Sequence, residues 1–244
     1  YALEMLASAR RTLSGSAARR NMLVIAAAGL MNSTFTIAVE SVILPLWLTR
    51  ELGWSPAEWA RLRSLRMIGV VAGVPVFGVV AGLIGEDRMG TISMTASAVF
   101  LLVVACFPGW GLWVTMPVLG ALVSTGYVNI STLVQGISER RQGLANAIYR
   151  TMGATASVIA PVLATTLAAV FSGYRPVLFC FSGLILAAGI VLAFYRGPRS
   201  ERTGAGLRAD LRALLGLYRS ALAEKPLMRV IHWTQIWSNL VIGV

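Results

Sequence analysis

Long runs without a charged side chain dominate this sequence, and they leave few folds open to it. Asp, Glu, Lys and Arg are absent from five stretches, which are 21–39, 67–85, 89–138, 151–174 and 176–195. Apolar runs of about 20 residues are typical of helices that cross a membrane. Only 13% of the residues are charged, about half the share of an average soluble domain. The pattern therefore predicts an all-α integral membrane protein.

Glycine, proline and charged residues divide the apolar runs into six predicted spans. The spans cover 22–48, 64–85, 91–107, 112–137, 147–171 and 176–195. They form one predicted transmembrane bundle over 22–195, preceded by an N-terminal segment at 1–21 and followed by a linker at 196–229. A seventh apolar run begins near residue 230 and is cut off at Val244. We therefore expect the chain to be part of a longer protein, or a half that dimerises.

The basic residues are unevenly divided between the two ends of these spans. Sixteen of the 21 fall on the side of the N-terminus and the 196–229 linker, and five fall on the other side. The positive-inside rule then predicts a multi-pass protein of the inner membrane with a cytoplasmic N-terminus. The same rule accounts for the net charge of +11, so we do not predict nucleic-acid binding. Leucines at helical spacing predict an amphipathic helix in the linker, lying on the membrane surface.

The turn between the second and third spans carries the most informative motif. Asp87-Arg88-Met89-Gly90 resembles the signature loop of the major facilitator superfamily, whose pattern is roughly Gly-x-Leu-x-Asp-Arg-x-Gly-Arg-Lys. The first glycine of that pattern is Leu83 here, and its basic pair is Thr91-Ile92. The segment 139–143 resembles the family's loop after helix 4, and 157–164 resembles its glycine-rich segment in helix 5.

This resemblance implies one six-helix half of a twelve-helix secondary transporter that works by alternating access. It also implies three partners: the lipid bilayer, a small-molecule substrate, and a C-terminal half or a second copy of the chain. Neither a cofactor nor a metal is implied. In the family, contacts of this loop lock one conformation, which suggests gating roles for Asp87, Arg88 and Gly90. Arg150 is predicted to be a gate or a headgroup contact, and an ordinary polar turn is the alternative for the loop.

Glu40 is the one acidic residue inside a predicted span, where an ionisable group is costly and marks a functional candidate. Asn32, Thr36 and Glu40 recur every four residues, so they form a polar stripe that we predict to line a wet cavity. Three roles fit Glu40: a carrier of a coupling proton, a binding group for a cationic substrate, or one partner of a structural ion pair with Arg66.

Arg61, Arg63 and Arg66 enter the second span from the side that carries fewer basic residues. They either attract an anionic substrate or have structural roles, with Glu58 pairing with Arg61 and the others reaching lipid headgroups. Polar residues at helical spacing in the fourth and fifth spans are further candidates for lining the cavity. These are Ser124, Tyr127, Ser131, Gln135 and Thr155.

Two functions from different classes fit these features. The first is a secondary active transporter of small solutes, with the substrate and the coupling ion left open. The family arginine of helix 4 that supports proton coupling in drug antiporters has no counterpart between Gly111 and Gly136, which argues against that subgroup. The second is a non-transporting subunit or assembly factor of a larger membrane complex that reuses the fold. An enzyme is not predicted, because the sequence shows no His/Asp cluster, serine–base pair or metal-ligand spacing.

Overall fold

In a computed structural model of the protein, the described residues are 16–137 and 142–196, together with Arg212 and Gly216. The predictions for the loop at 138–141, for most of the linker and for the seventh helix lie outside these residues. The described part contains six helices that are long and apolar enough to cross a membrane, and no strand. The all-α membrane fold predicted from the charge-free runs is confirmed.

The first of the six helices, α1, runs without a break from Ser16 to Glu51 but changes its winding. It is α-helical over Ser16–Ala38 and Leu44–Leu46, and π-helical over Val39–Ile43 and Trp47–Glu51. The other five are regular α-helices: α2 Pro56–Ile84, α3 Glu86–Cys106, α4 Trp110–Ile137, α5 Gln142–Phe171 and α6 Arg175–Ala193. Each predicted span falls on one helix, but the helices begin one to eight residues earlier than predicted.

The early start of α2 has a local cause. Pro56 occupies the first helical position, where its missing N–H costs nothing. The Ser55 hydroxyl accepts a hydrogen bond from the backbone N–H of Glu58, at 3.3 Å, and the Glu58 carboxylate accepts one from the N–H of Ser55, at 2.7 Å. This capping box starts the helix ahead of its apolar run. It also corrects the predicted pairing of Glu58 with Arg61, since Glu58 is held by Ser55 and Arg61 is exposed.

Helix packing follows a pattern of two equivalent three-helix units. α2 packs mainly on α4 and α5 mainly on α1, while α3 packs on α4 and α6 packs on α1. α3 and α6 pack on each other, as do α1 and α4. Exchanging α1–α3 with α4–α6 therefore leaves the pattern of contacts unchanged, as expected for the internal repeats that transporter folds contain.

The helices differ sharply in how much of their surface this bundle covers. In the most apolar window of α4, 56% of the residues are buried, and the figures for α1, α3 and α6 are 50%, 50% and 44%. The corresponding figures for α2 and α5 are 11% and 17%. α2 and α5 are thus outer helices that each use one face to pack on the bundle, and most of their apolar surface stays open.

Candidate functional site

An ion pair inside the membrane-spanning region joins α1 to α2. Glu40 lies in the π-helical turn of α1, and its carboxylate accepts a hydrogen bond from Nη2 of Arg66, in the third turn of α2. It is the one salt bridge formed between described residues. The Arg66 side chain is 9% exposed and that of Glu40 is 21% exposed, so the pair is more open on its carboxylate side.

The winding of α1 at Glu40 follows from Pro45. A proline inside a helix has no N–H to donate, and its ring crowds the carbonyl four residues earlier, which here belongs to Ser41. Around this position the helix widens, and the N–H of Leu44 bonds to the carbonyl of Val39. Single π-helical turns of this kind are frequent at functional sites. The turn changes the direction in which Glu40 leaves the helix relative to a regular α-helix.

Arg66 is held in place by the close approach of α2 to α4. A Cβ added to Gly120 would lie 2.6 Å from both Cγ and the carbonyl oxygen of Arg66, so only glycine leaves room for Arg66 there. One and two turns further along α2, Gly69 and Gly73 lie directly against Pro117 and Ala121 of α4. Small residues bring the two backbones together and fix the position of the guanidinium.

The polar stripe predicted along α1 is divided by the fold. Asn32 is buried, at 1% exposed, and both polar atoms of its amide lack a hydrogen-bond partner among the described residues. It lies inside the bundle beside Gly126 of α4, close to Ser93 of α3. Thr36 is half-buried, and its hydroxyl donates to the carbonyl of Asn32 at 2.8 Å. Within the stripe, Glu40 is the residue that reaches a partner on another helix.

The candidates on α4 and α5 lie along a second, more open region. Tyr127 is 43% exposed, and its ring lies 4.9 Å from that of Tyr149, which donates a long hydrogen bond of 3.5 Å to the Tyr127 carbonyl. Gln135 and Thr155 are exposed. Ser124 and Ser131 are half-buried. Among the described residues, no hydrogen bond or ion pair joins this region to Glu40 or Arg66.

The turn between α2 and α3 depends on Gly85, which adopts a φ of +101° that side-chain-bearing residues rarely reach. α3 begins at once, with Glu86 and Asp87 in its first turn, where negative charge suits the helix dipole. No side chain caps this helix, because its capping position is Gly85. Asp87 lies two residues further on, within the first turn.

The other predicted gate residues have different environments. Gly90 is buried in α3, where an added Cβ would lie 2.7 Å from Cδ2 of Leu192 in α6. Arg88 and Arg150 are exposed. Gly85 thus supplies the backbone freedom of the turn, and Gly90 allows close packing of α3 on α6.

Two contacts at this end of the bundle have no signal in the sequence. The amide of Asn21 in α1 donates to the backbone carbonyl of Arg196 at 3.0 Å and accepts from its N–H at 3.2 Å, which fastens the chain as it leaves α6. Tyr195 is buried beside the turn, and this burial raises the pKa of its hydroxyl, with a further contribution from Asp87 and Glu86. Both features bring together parts of the chain that are distant in sequence, so no local sequence pattern predicts them.

The cavity beside α1 is separate from the ion pair. A cavity of about 580 Å³ lies between α1, α5 and the start of α6, with Arg50, Glu51 and Tyr174 in its lining, but neither Glu40 nor Arg66 lines it. Within the described ranges, no three His, Cys, Asp or Glu residues are grouped closely enough to hold a metal ion. The cavity and the ion pair are therefore separate features of the described helices.

Comparison with known proteins gives the family. A search of curated proteins found no match. The family model described as Major Facilitator Superfamily matches residues 22–244, which is most of the chain and includes the six helices from near the start of α1 onwards. Together with the multi-pass fold and the signature turn, this match establishes that the chain belongs to the Major Facilitator Superfamily of membrane transporters.

Proposed function

We propose that this chain is the first half of a secondary active transporter of small solutes, which works by alternating access and is coupled to protons through Glu40. The observation that carries this proposal is the ion pair of Glu40 with Arg66 in the π-helical turn of α1. The other acidic residues of the described helices, Glu51, Glu58, Glu86 and Asp87, lie in the first or last turns. Glu40 is therefore the carboxylate best placed to take up a proton at depth.

The pair couples protonation to charge movement for a simple electrostatic reason. Breaking a buried ion pair by removing one partner's charge leaves the other charge uncompensated, which costs about 3–5 kcal/mol. When Glu40 takes up a proton, Arg66 must gain a new partner or be exposed to water. A conformation that supplies Arg66 with a new partner avoids this cost, so it is favoured by the corresponding free energy. Protonation of Glu40 thereby shifts the equilibrium between two arrangements of α1 and α2.

The bundle's open faces support a two-part transporter. α2 and α5 leave most of their apolar surface uncovered, although each packs tightly on one helix of this unit. A second six-helix unit, from the remaining chain or from a second copy, covers these faces in the proposal. The proposal also assigns the Gly85 end and the N-terminus to the cytoplasm and the protein to the inner membrane, which the excess of basic residues at that end supports.

The non-transporting alternative is favoured by one observation, the departure of the signature loop from the family pattern. Thr91 and Ile92 stand where the pattern has a basic pair. A scaffold subunit would retain the Glu40–Arg66 pair as a fixed structural link, and the pair would not respond to protons.

Reconstitution of the full-length protein into liposomes separates these functions. Internal pH is followed with pyranine while candidate solutes are added outside, and solute exchange across equal concentrations is measured in parallel. We expect solute-dependent proton movement in the wild type, and we expect Glu40→Gln to abolish it while solute exchange continues. Glu58→Gln is the matched control, because glutamine can replace glutamate in the capping box. Proton movement that survives Glu40→Gln would remove Glu40 from the coupling, and a wild type that moves no solute would favour the scaffold.

A further inference from the structure

The guanidinium of Arg66 is incompletely bonded. Arginine carries five N–H donors in a planar fork. Nη2 donates to Glu40, and Nη1 makes a weak contact of 3.7 Å with Sδ of Met67. Nε is buried and has no hydrogen-bond partner among the described residues. Part of this buried cation is therefore available to a further acceptor.

Such an arrangement is costly unless an acceptor is supplied. A buried donor without a partner carries its full desolvation penalty, which is larger when the group is charged. The edge of the fork that carries Nε also includes Nη2, which donates to Glu40, so the whole edge becomes free when Glu40 releases Nη2. A planar group with two oxygens fits this edge through two parallel hydrogen bonds, which is the geometry of arginine with a carboxylate.

The charges around Arg66 favour an anion with a single negative charge. Arg61 and Arg63, one to two turns nearer the start of α2, are exposed and form no ion pair with a described residue. They raise the positive potential along the first turns of α2, which draws anions toward Arg66. With Glu40 protonated, one carboxylate neutralises Arg66 completely. A phosphate dianion would leave an excess negative charge in the membrane, which is costly.

We propose that Arg66 binds the carboxylate group of a small monocarboxylate substrate, which crosses the membrane together with a proton carried by Glu40. This inference rests on the proposed function and adds the substrate class to it. The substrate anion takes the place of Glu40 as the partner of Arg66, so it binds best when Glu40 is protonated. The pair therefore alternates between an internal bond and a bond to substrate, and the transported complex carries no net charge.

The test uses matched acids and amides as probes of purified full-length protein. Thermal unfolding is followed at constant ionic strength in the presence of acetate, propionate or benzoate, and of acetamide, propionamide or benzamide. We expect the acids to raise the midpoint of unfolding in a saturable way, more strongly as the pH falls, and the amides to have no such effect. Equal shifts by acids and amides, or no shift by any of the acids, would overturn the inference.

Variants locate the binding group. Arg66→Lys is expected to weaken carboxylate binding about tenfold or more, because lysine lacks the planar fork of arginine. Arg20→Gln, which removes an exposed positive charge from α1, is the matched control and should leave the affinity unchanged. Arg66→Gln removes the binding group altogether. If this variant does not give a single peak in size-exclusion chromatography, the double variant Glu40→Gln/Arg66→Gln is used in its place, because it leaves no lone buried charge. Wild-type affinity in either variant lacking Arg66 would contradict the assignment.

Different results would reject the proposed proton coupling and the proposed substrate class. Proton movement that depends on Glu40, together with unfolding curves that ignore carboxylates, would retain the coupled transporter and reject the substrate class. Carboxylate binding that depends on Arg66, with no proton movement in liposomes, would retain the binding site and reject the coupling.

Discussion

The two halves of α2 carry the same glycine spacing in opposite surroundings. Gly69 and Gly73, in the half that begins at Pro56, lie directly against Pro117 and Ala121 of α4. Gly78 and Gly82, in the half that ends at the turn, have no atom of another helix within 4 Å of where a Cβ would be. The first pair of glycines thus faces α4, and the second pair faces away from the bundle, although Val79 and Ala81 of the same half are buried.

This difference shows which face of α2 packs on α4. The first half of the helix also carries Arg66, whose stem fits against Gly120. The second half begins near Pro75, where the helix lacks a backbone hydrogen bond, and it ends at Gly85, whose φ is +101°. Because α2 is continuous from Pro56 to Ile84, it connects the ion pair to the turn at Gly85.

The largest effect is expected from Gly69→Ala. The new methyl group would overlap the backbone carbonyl of Pro117, which cannot move aside as a flexible side chain can. Overpacking of this kind costs about 1–3 kcal/mol, and we expect the upper end here because the contact is with backbone. Denaturant unfolding in mixed micelles measures the loss, with Gly82→Ala as the control of equal chemistry. Equal stability of the two variants would show that the two halves of α2 do not differ in packing.

Gly120→Ala is expected to be next in size and to act on the ion pair. Its methyl group would meet Cγ and the carbonyl oxygen of Arg66, so α2 must move away from α4 at this point. We expect a loss of about 1–2 kcal/mol in stability, because the side-chain part of the contact can adjust. Proton movement in liposomes should fall by a larger factor than solute exchange. A variant that keeps both activities would show that the position of Arg66 is not critical.

Gly85→Ala tests the turn at the end of α2. Alanine at a φ of +101° is strained, and such strain costs about 1–3 kcal/mol. The added Cβ would also lie 2.7 Å from Oδ1 of Asp87, which can rotate away. We expect a moderate loss of stability, measured by thermal unfolding, and no loss for Gly153→Ala, whose surroundings are open. Wild-type stability for Gly85→Ala would mean that the turn relaxes into another conformation.

Much of the fold could be predicted from the sequence because long apolar runs without charged residues identify membrane-spanning helices. The six spans followed from the charge-free runs and from the glycine and proline residues that divide the longest run, and Glu40 stood out as the one acidic residue inside a predicted span. Its partner was also within reach of sequence reasoning, since Arg66 enters the neighbouring span at a plausible depth. The helix starts were less predictable, because the capping box at Ser55 extends α2 through charged residues.

Features that depend on which helices meet were out of reach. The repeated glycines of α2 gave the same signal twice, and only the approach of α4 shows that Gly69 and Gly73 are used. The stripe on α1 predicted a shared environment for Asn32 and Glu40, whereas α3 and α4 enclose the first and leave the second at the edge. The fastening of Arg196 by Asn21 joins residues 175 positions apart. The periodicity of one helix does not show which other helix it packs against.

The smallest effect is expected from Gly78→Ala, and its sign is the sharpest test of the comparison. Glycine within a helix costs about 1 kcal/mol relative to alanine. With nothing near its Cβ position, alanine at this site should stabilise the protein by up to that amount and raise the midpoint of thermal unfolding slightly. If the second half of α2 must bend during transport, the same substitution should slow solute exchange while it raises stability. A decrease in stability would instead reveal a neighbour at this surface in the assembled transporter, and would favour a second six-helix unit packed against the face of α2 that carries Gly78.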